Sequence, residues 1–204
     1  MKKLVYTILL YQILFFSSIE ATAGNLKITL ENSNNLEKAY FAGGCFWCME
    51  ESFDKIRGVI KSTSGYSGGM LKNPTYQQVI YEDTGHVETI EIIYDPTKTS
   101  YKNLLKIFWK NIDPFDKYGQ FCDKGKSYRS VAFFQNKMEK KMINQSIKEL
   151  EKQFNSEIVT LVWKFDKFYK AEDYHQNYYQ NNFLKYLAYK KACQREEVLN
   201  KIWK

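Results

Sequence analysis

Histidine and proline are scarce in this chain of 204 residues, which has two histidines and three prolines. The prolines all lie in turn-like contexts near the ends of predicted helices or strands, at Pro74, Pro96 and Pro114. The two histidines, His86 and His175, belong to a residue type that is more often structural than catalytic. The sequence therefore does not favour chemistry centred on histidine.

A phosphate-binding loop and a long apolar run are also missing. No glycine cluster, including the one in residues 65–69, matches a phosphate-binding loop, so nucleotide use is not indicated. The apolar run at residues 4–16 is shorter than the roughly 20 residues that span a bilayer. Apolar residues still make up 44% of the chain and aromatic residues 17%, which is enough for the core of one domain.

The net charge of +7 does not predict a nucleic-acid partner. The lysines between positions 137 and 152 are interleaved with glutamates. This mixture is typical of a solvated helix face rather than a basic stripe. We therefore expect no binding to nucleic acid.

The N-terminus has the three parts of a secretory signal peptide. Lys2 and Lys3 precede the apolar run, and Ala21, Thr22 and Ala23 form a small-residue cleavage pattern. We expect cleavage near Ala23 and export to the periplasm or the outside of the cell, with no membrane span after processing. No cysteine closely follows the apolar run, so a lipid anchor is not predicted. The predicted organisation is a signal peptide at 1–23, an asparagine-rich linker at 24–36 and one folded domain at 37–204.

Apolar periodicity predicts an alternation of strands and helices. In one segment, apolar residues recur every three or four positions, at Phe46, Met49, Phe53 and Ile56, which is typical of a helix. Val87–Tyr94 has the pattern of a strand. The order strand, helix, strand, strand, helix, strand is that of a split βαβ motif. We therefore predict an α+β fold, a ferredoxin-like two-layer sandwich with extra C-terminal helices and coil.

Local signals predict where several elements begin and end. Thr99 or Ser100 can cap one helix, and Asn136 can cap another that reaches Phe154. Glycines in residues 65–69 predict a loop after the second strand.

Two of the four cysteines, Cys45 and Cys48, form a C-x-x-C motif. Cys45 follows a predicted strand and a turn at Gly43 and Gly44, and it starts a predicted helix. Orphan N–H groups and the helix dipole favour negative charge there, which predicts a lowered thiol pKa and a nucleophilic Cys45. Cys48 lies one helical turn further on, so it can capture a sulfenic acid on Cys45 as a disulfide.

Two other interpretations of this motif are a zinc site and a structural disulfide. A zinc site could draw further ligands from Cys122, Cys193, His86 and His175. Zinc motifs usually have small or turn-forming residues between their cysteines, whereas Phe46 and Trp47 stand here and imply an apolar pocket. A binding module with two structural disulfides is the non-enzymatic alternative, although a chain of this length does not need them. Redox catalysis is favoured over a structural disulfide, and a structural disulfide over zinc.

Glu88 is the second informative residue. Because side chains alternate along a strand, Glu88 shares a face with Ile90 and Ile92. A carboxyl group on an apolar face is desolvated, which raises its pKa and suits it to act as an acid near neutral pH. An exposed position near the start of an edge strand fits the pattern equally well.

Residues 41–50, FAGGCFWCME, closely resemble the signature of the class A peptide methionine sulfoxide reductases. Further blocks that resemble the family follow in family order, at residues 63–69, 73–76, 85–88, 94–96, 119–125, 128–130 and 171–176. This combination is far more specific than a lone C-x-x-C motif. The folded domain is therefore identified as a catalytic domain of this family.

The resemblance implies a role for each matched residue. Cys45 matches the nucleophile that attacks the sulfoxide sulfur, and Glu88 matches the acid that protonates the sulfoxide oxygen. The other matches are substrate-binding residues: Phe46 and Trp47 around the substrate methyl group, Tyr76 and Tyr128 on the sulfoxide oxygen, and Asp123 lining the same site.

The family's common pattern has glycine at position 48, and Cys48 matches a branch that resolves the sulfenic acid as a Cys45–Cys48 disulfide. The resemblance implies reduction of methionine S-sulfoxide, free or in proteins, and repair of proteins after oxidative stress. It implies no cofactor, since a thioredoxin-like dithiol supplies the electrons, and we expect a monomer. The chain departs from the family pattern at Glu51-Ser52 in the first helix and at Gln194 in the tail. The roles of Cys122 and Cys193 stay open.

A general thiol–disulfide oxidoreductase is the alternative enzyme class. It would share the C-x-x-C motif, but a thioredoxin-like fold needs a cis-proline loop that faces the cysteines. It also gives no reason for Glu88. Insulin reduction without sulfoxide reduction would support this alternative.

Overall fold

The computed structural model of the chain describes residues 35–204, so the predicted signal peptide and residues 24–34 of the predicted linker lie outside the described residues. The strands are β1 (Glu37–Ala42), β2 (Val59–Ser67), β3 (Val87–Tyr94), β4 (Gly119–Gln120), β5 (Asp123–Lys124), β6 (Val131–Phe134), β7 (Leu161–Lys164) and β8 (Phe168–Lys170). The α-helices are α1 (Phe46–Asp54), α2 (Tyr76–Tyr81), α3 (Tyr101–Lys110), α4 (Lys137–Phe154), α5 (Tyr178–Asn181), α6 (Phe183–Ala192) and α7 (Arg195–Ile202).

Six of the strands form one sheet in the order β7-β6-β1-β3-β2-β8. The edge pair β6–β7 is parallel, and the other pairs of this sheet are antiparallel. Helix α1 connects β1 to β2, and α3 follows β3 before the chain enters β6. The central strands β6-β1-β3-β2 therefore have the split βαβ order, and the predicted ferredoxin-like α+β fold is confirmed.

Alternation along β1 divides the core into two layers. Ala39 and Phe41 pack in one cluster with apolar residues of α1, α3 and α4. Tyr40 and Ala42 pack in a second cluster with Phe133 and the aromatic residues of the segment from β7 to β8. The helices thus cover one face of the sheet, and the other face is covered by the chain's own aromatic loop.

The two predicted helix starts are confirmed by their caps. Ser100 and Asn136 each accept the backbone N–H of the third helical residue, at 3.2 and 2.9 Å. Helix α4 ends at Phe154 as predicted, where Asn155 adopts a left-handed conformation with φ 50°.

The loop predicted in residues 65–69 starts later than expected, because β2 continues to Ser67. Gly65 pairs with β8, and a Cβ atom at this position would collide with the Phe168 ring and the Tyr169 carbonyl oxygen. This glycine therefore permits the close approach of a neighbouring strand and does not form a turn.

Cys122 and Cys193 form a disulfide across 71 residues of sequence. This disulfide was not predicted, because a chain of this length was expected to fold without such a bond. Cys122 is exposed and Cys193 is buried, so the bond ties a surface loop to the end of α6. Cys45 and Cys48 are free thiols.

Replacing both Cys122 and Cys193 with serine is expected to lower the free energy of unfolding by about 4 kcal/mol, because a cross-link across this many residues restricts the unfolded chain. Equilibrium unfolding in urea measures the change. Wild-type protein in excess reductant should match the double variant. An unchanged transition midpoint would contradict a stabilising role for the bond.

Within residues 35–204, no helix combines the length and the apolar character needed to cross a membrane.

Candidate active site

The turn between β1 and α1 is formed by Gly43 and Gly44. Gly44 has φ +75°, a conformation that other residues rarely adopt, and a Cβ atom there would lie 2.5 Å from the Gln120 side chain. A Cβ atom at Gly43 would lie 2.5 Å from the Met49 sulfur. The tight turn places Cys45 immediately before α1, where its carbonyl oxygen accepts the first backbone hydrogen bonds of the helix.

Cys45 and Cys48 are buried, with 5% and 2% of their surfaces exposed, and their thiols are hydrogen-bonded to each other. Burial raises the pKa of Cys45 well above its ordinary value, and the hydrogen bond with Cys48 adds to this. The hydrogen bond from Cys45 lowers the pKa of Cys48 to about 7. The predicted lowering of the pKa at Cys45 is therefore wrong, because loss of solvent outweighs the helix N-terminus. The Cys45 thiol thus stabilises a thiolate on Cys48.

Two residues of the C-terminal helices favour that charge. Arg195 is 3% exposed and donates to the carbonyl oxygen of Gly43 at 3.3 Å, which places its guanidinium against the β1–α1 turn. Its positive charge helps to lower the pKa of Cys48, and so does the nearby Tyr186 hydroxyl. Tyr186 packs on the two cysteines and donates to Glu51 at 2.6 Å.

Glu88 is 3% exposed and shares the helix-covered face of β3 with Ile90 and Ile92. Its Oε2 atom accepts the backbone N–H of Phe46 at 2.9 Å. Burial raises the pKa of Glu88 well above its ordinary value and the charge of Asp123 adds to this, although the Phe46 N–H acts in the opposite direction. Of the two placements that the sequence left open, the buried one is observed. Glu88 therefore keeps its proton to higher pH than an exposed glutamate does.

Tyr76, Tyr128 and Asp123 surround this carboxyl group. Burial raises the pKa of Tyr76 to about 12 and raises that of Tyr128 well above its ordinary value, and the charge of Glu88 contributes to both. Both hydroxyls therefore stay protonated and can donate hydrogen bonds. Burial also raises the pKa of Asp123, although a hydrogen bond from Tyr189 at 2.5 Å opposes this. The structure brings these three predicted residues together with Glu88.

Phe46 and Trp47 form an aromatic wall beside the cysteines. The Trp47 indole N–H donates to Nδ1 of His175 at 3.1 Å, and its ring stacks on Tyr178 with centroids 3.8 Å apart. Burial lowers the pKa of His175 to about 4, so the ring is neutral and Nδ1 can accept this bond. The His175 ring also contacts Phe46 and Tyr76, with centroids 4.9 and 4.5 Å away. His175 thus connects three of the predicted substrate-binding residues.

The family model for peptide methionine sulfoxide reductase matches residues 37–204. The chain belongs to this family. The MsrA enzymes of Ligilactobacillus salivarius and Streptococcus agalactiae are 44% and 42% identical to it over 169 and 170 residues. These alignments cover 82% of this chain and 98% and 99% of the two relatives. The protein is therefore an oxidoreductase that reduces methionine sulfoxide and so repairs oxidised proteins.

Solved structures of the family have the same fold as this reductase. Methionine sulfoxide reductase A of Corynebacterium diphtheriae superimposes with a TM-score of 0.66 at 28% identity, over 72% of this chain and 76% of that chain. The reduced form of Mxr1 from Saccharomyces cerevisiae gives a TM-score of 0.69 at 27% identity, over 73% and 87%.

The reductase has residues around its cysteines that the sequence motifs did not identify. They all come from the C-terminal segment, at Tyr178, Tyr186, Tyr189 and Arg195. The tyrosine-rich composition of this segment was a visible signal, but its spacing does not assign any one tyrosine to the cysteines. Only the fold shows which of them reach the site.

The ligands that a zinc site would need are not brought together. His86 bonds to the backbone of Gly69 and Leu71 through its two ring nitrogens. Among the described residues, Cys122, Asp123 and Cys193 are the group whose ligand atoms lie closest, but its two sulfurs are bonded to each other.

Proposed function

We propose that Cys45 is the nucleophile of this reductase, Glu88 the acid and Cys48 the resolving thiol. The observation that carries this proposal is the geometry at the start of α1. The Glu88 carboxyl group is held at 2.9 Å by the backbone N–H of Phe46, the residue next to Cys45. A buried proton donor and a sulfur nucleophile therefore lie side by side, as the reduction of a sulfoxide requires.

In the first step, the Cys45 sulfur attacks the sulfoxide sulfur while Glu88 protonates the sulfoxide oxygen. The attack forms a bond between the two sulfurs, and the sulfur–oxygen bond of the substrate breaks as the hydroxyl group moves to the Cys45 sulfur. The bond between the two sulfurs then breaks, which leaves a sulfenic acid on Cys45. The thiol proton of Cys45 returns to Glu88, so protons balance. The substrate gains two electrons and leaves as methionine, and Cys45 loses two.

In the second step, Cys48 attacks the sulfenic sulfur and forms the Cys45–Cys48 disulfide. The hydroxyl group leaves as water and takes the proton that Cys48 has released. The positive charge of Arg195 favours the thiolate of Cys48 in this step, after the Cys45 thiol has been consumed. Cys45 and Cys48 stand three positions apart at the start of α1 and pack in one buried cluster, so the disulfide joins side chains that are already neighbours. This role places the chain in the branch with cysteine at position 48.

The proposed substrate pocket has an aromatic side and a polar side. Phe46 and Trp47 contact the substrate methyl group, Tyr76 and Tyr128 donate to the sulfoxide oxygen, and Asp123 lines the same site. The raised pKa values of the two tyrosines support this role, because they keep both hydroxyls protonated. A pocket with these two sides selects one epimer, and we assign the S form, free or within a protein.

A thioredoxin-like dithiol protein is the proposed electron donor, and the cycle uses no further cofactor. Thiol–disulfide exchange returns two electrons and two protons to Cys45 and Cys48. The yeast protein Mxr1 has been crystallised in complex with Trx2, and that structure shares the fold with a TM-score of 0.51. The reductase acts as a monomer in this scheme.

Export is the proposed fate of the chain, with residues 1–23 as a cleaved signal peptide, 24–36 as a linker and 37–204 as the catalytic domain. The charged start, apolar run and small-residue pattern support this organisation. The donor must then be present in the periplasm or outside the cell. An oxidising compartment without one would hold Cys45 and Cys48 as a disulfide.

Turnover on the separated sulfoxide epimers, with a dithiol donor, tests the reaction. We expect methionine from the S epimer and only background from the R epimer. Without a donor, the S epimer should consume two thiols per enzyme and yield one methionine, because Cys122 and Cys193 are already bonded. Equal turnover of both epimers would contradict the assigned selectivity. Insulin reduction without methionine formation would indicate a general thiol–disulfide oxidoreductase.

A further inference from the structure

Glu50 is a fully buried carboxyl group that the proposed chemistry does not use. It lies on α1, one turn after Phe46, with 0% of its surface exposed. Its Oε2 atom accepts the backbone N–H of Asn177 at 3.0 Å. Its Oε1 atom and the buried Ser64 hydroxyl beside it make no well-formed hydrogen bond within the described residues. A buried carboxyl group with so few partners costs stability, so its position needs a functional reason.

The Asn177 N–H belongs to the segment that holds Trp47. Asn177 has φ +52° and precedes α5. Two residues before it, His175 accepts the indole N–H of Trp47, and the residue after it, Tyr178, stacks on the Trp47 ring with an interplanar angle of 11°. These two contacts of the indole therefore depend on where the backbone around Asn177 lies, whereas its edge contact with Tyr189 comes from α6.

Glu50 and Trp47 also stand on the same helix, three positions apart. The helix carries Trp47 on one side and, through Glu50, fixes the segment that closes over the indole. These contacts form a closed circuit: Glu50 of α1 binds the backbone of Asn177, the next residue Tyr178 stacks on Trp47, and Trp47 belongs to α1 again. Gln176 also ties this segment to Ser64 and Ala171. Removal of the Glu50 bond therefore loosens the Asn177 backbone next to Tyr178 without detaching the segment, while Trp47 itself stays in place on the helix.

We propose that Glu50 is a positioning residue for the substrate pocket, which holds Trp47 in its binding geometry by anchoring the backbone of Asn177. This inference rests on the proposed function, in which Trp47 contacts the substrate methyl group. Burial raises the pKa of Glu50 to about 7, and a neutral carboxyl group can still accept through its carbonyl oxygen. To hold Asn177, the side chain therefore needs an acceptor oxygen at the right distance from the backbone N–H, and it does not need a negative charge.

A second hydrogen bond between α1 and α5 provides a matched control, because it joins the same helices outside the proposed circuit. Tyr179 of α5 donates to Asp54 of α1 at 2.9 Å, and neither His175 nor Tyr178 takes part in this hydrogen bond. Tyr179→Phe therefore removes a hydrogen bond between α1 and α5 but leaves the proposed circuit intact.

The test compares Glu50→Ala, Glu50→Gln and Tyr179→Phe by steady-state kinetics on methionine sulfoxide and by the indole N–H resonance of Trp47. That resonance is assigned by its loss in Trp47→Phe. Glu50→Ala should lower kcat/KM by roughly 10- to 100-fold, mainly through KM, because the pocket wall is misplaced. It should also shift the resonance. Glu50→Gln keeps an acceptor oxygen at the same reach and should stay within about threefold of wild type. Tyr179→Phe should change neither readout.

Glu50→Asp serves if the alanine variant does not fold, since the shorter side chain keeps the carboxyl group but cannot reach Asn177. The proposal would be overturned if the Trp47 resonance stayed unmoved in both Glu50→Ala and Glu50→Asp. It would also be overturned if Tyr179→Phe changed kcat/KM and the resonance as much as these variants do. Trp47→Phe separates this failure from failure of the proposed function. If that variant keeps the wild-type KM, the binding role of Trp47 is wrong, while the resonance still reports whether Glu50 positions it.

Discussion

Replacing Cys45 with serine is expected to abolish methionine formation. A serine hydroxyl is a far weaker nucleophile than a thiol, and it has no sulfenic acid to form. The loss should be on the order of 10⁶-fold, as for removal of the nucleophile in other enzymes with covalent mechanisms. The serine side chain is nearly isosteric with that of cysteine, so the variant should keep the wild-type fold. Methionine release from the S epimer, measured with excess dithiol donor, checks this result.

Cys48→Ser is the matched control for the nucleophile. It removes the resolving thiol from the same helical turn and leaves Cys45 in place. One methionine per enzyme should form in the absence of a donor, after which the sulfenic acid persists on Cys45. Sustained turnover by Cys45→Ser would show that another group attacks the substrate.

Glu88→Gln is expected to slow the chemical step by roughly 10²–10⁴-fold, the usual contribution of a general acid. The amide keeps the size of the side chain and can still accept the Phe46 N–H, but it has no acidic proton to donate. Single-turnover methionine formation under saturating substrate measures this step. An unchanged rate would indicate that a tyrosine or a water molecule supplies the proton.

The pH profile gives the same residue a second signature. Because burial raises the pKa of Glu88 above its ordinary value, the acid keeps its proton to higher pH than an exposed glutamate would. The wild-type rate should therefore fall as pH rises through this pKa, and Glu88→Gln should lack that limb. Glu91→Gln is the control, since Glu91 lies on the same strand but bonds to Lys38 and Tyr40, away from the cysteines.

Features of this fold that depend on neighbours in sequence could be predicted. Helix α4 runs from the residue after Asn136 to Phe154, because its cap and its end are both local. The order of the central strands follows from apolar spacing. The role of Gly65 was predicted wrongly because the residue is required by its contact with β8, a strand about 100 positions later in the chain. In the sequence, a glycine required by such a close approach looks the same as a glycine in a turn.

The electrostatics of the site could not be predicted in the same way. The helix N-terminus beside Cys45 is a local feature, and alone it predicts a lowered pKa. The opposing effect is burial under Tyr186 and its neighbours, which come from the end of the chain. Arg195, which favours charge on Cys48, belongs to no cysteine motif. The placement of Glu88 was open for a similar reason, since a strand pattern shows which residues share a face but not what covers that face.

The C-terminal cover of the dithiol also has a consequence for how the protein folds. Its bonds from Trp47 to His175, from Tyr186 to Glu51 and from Arg195 to Gly43 join residues 128, 135 and 152 positions apart. Closing such long loops is entropically unfavourable until the central sheet has formed, so these contacts come late. Until then, all four cysteines are open to one another and to oxidants. We therefore expect the pairing of the cysteines to be sensitive to oxidants during folding, before any substrate reaches the enzyme.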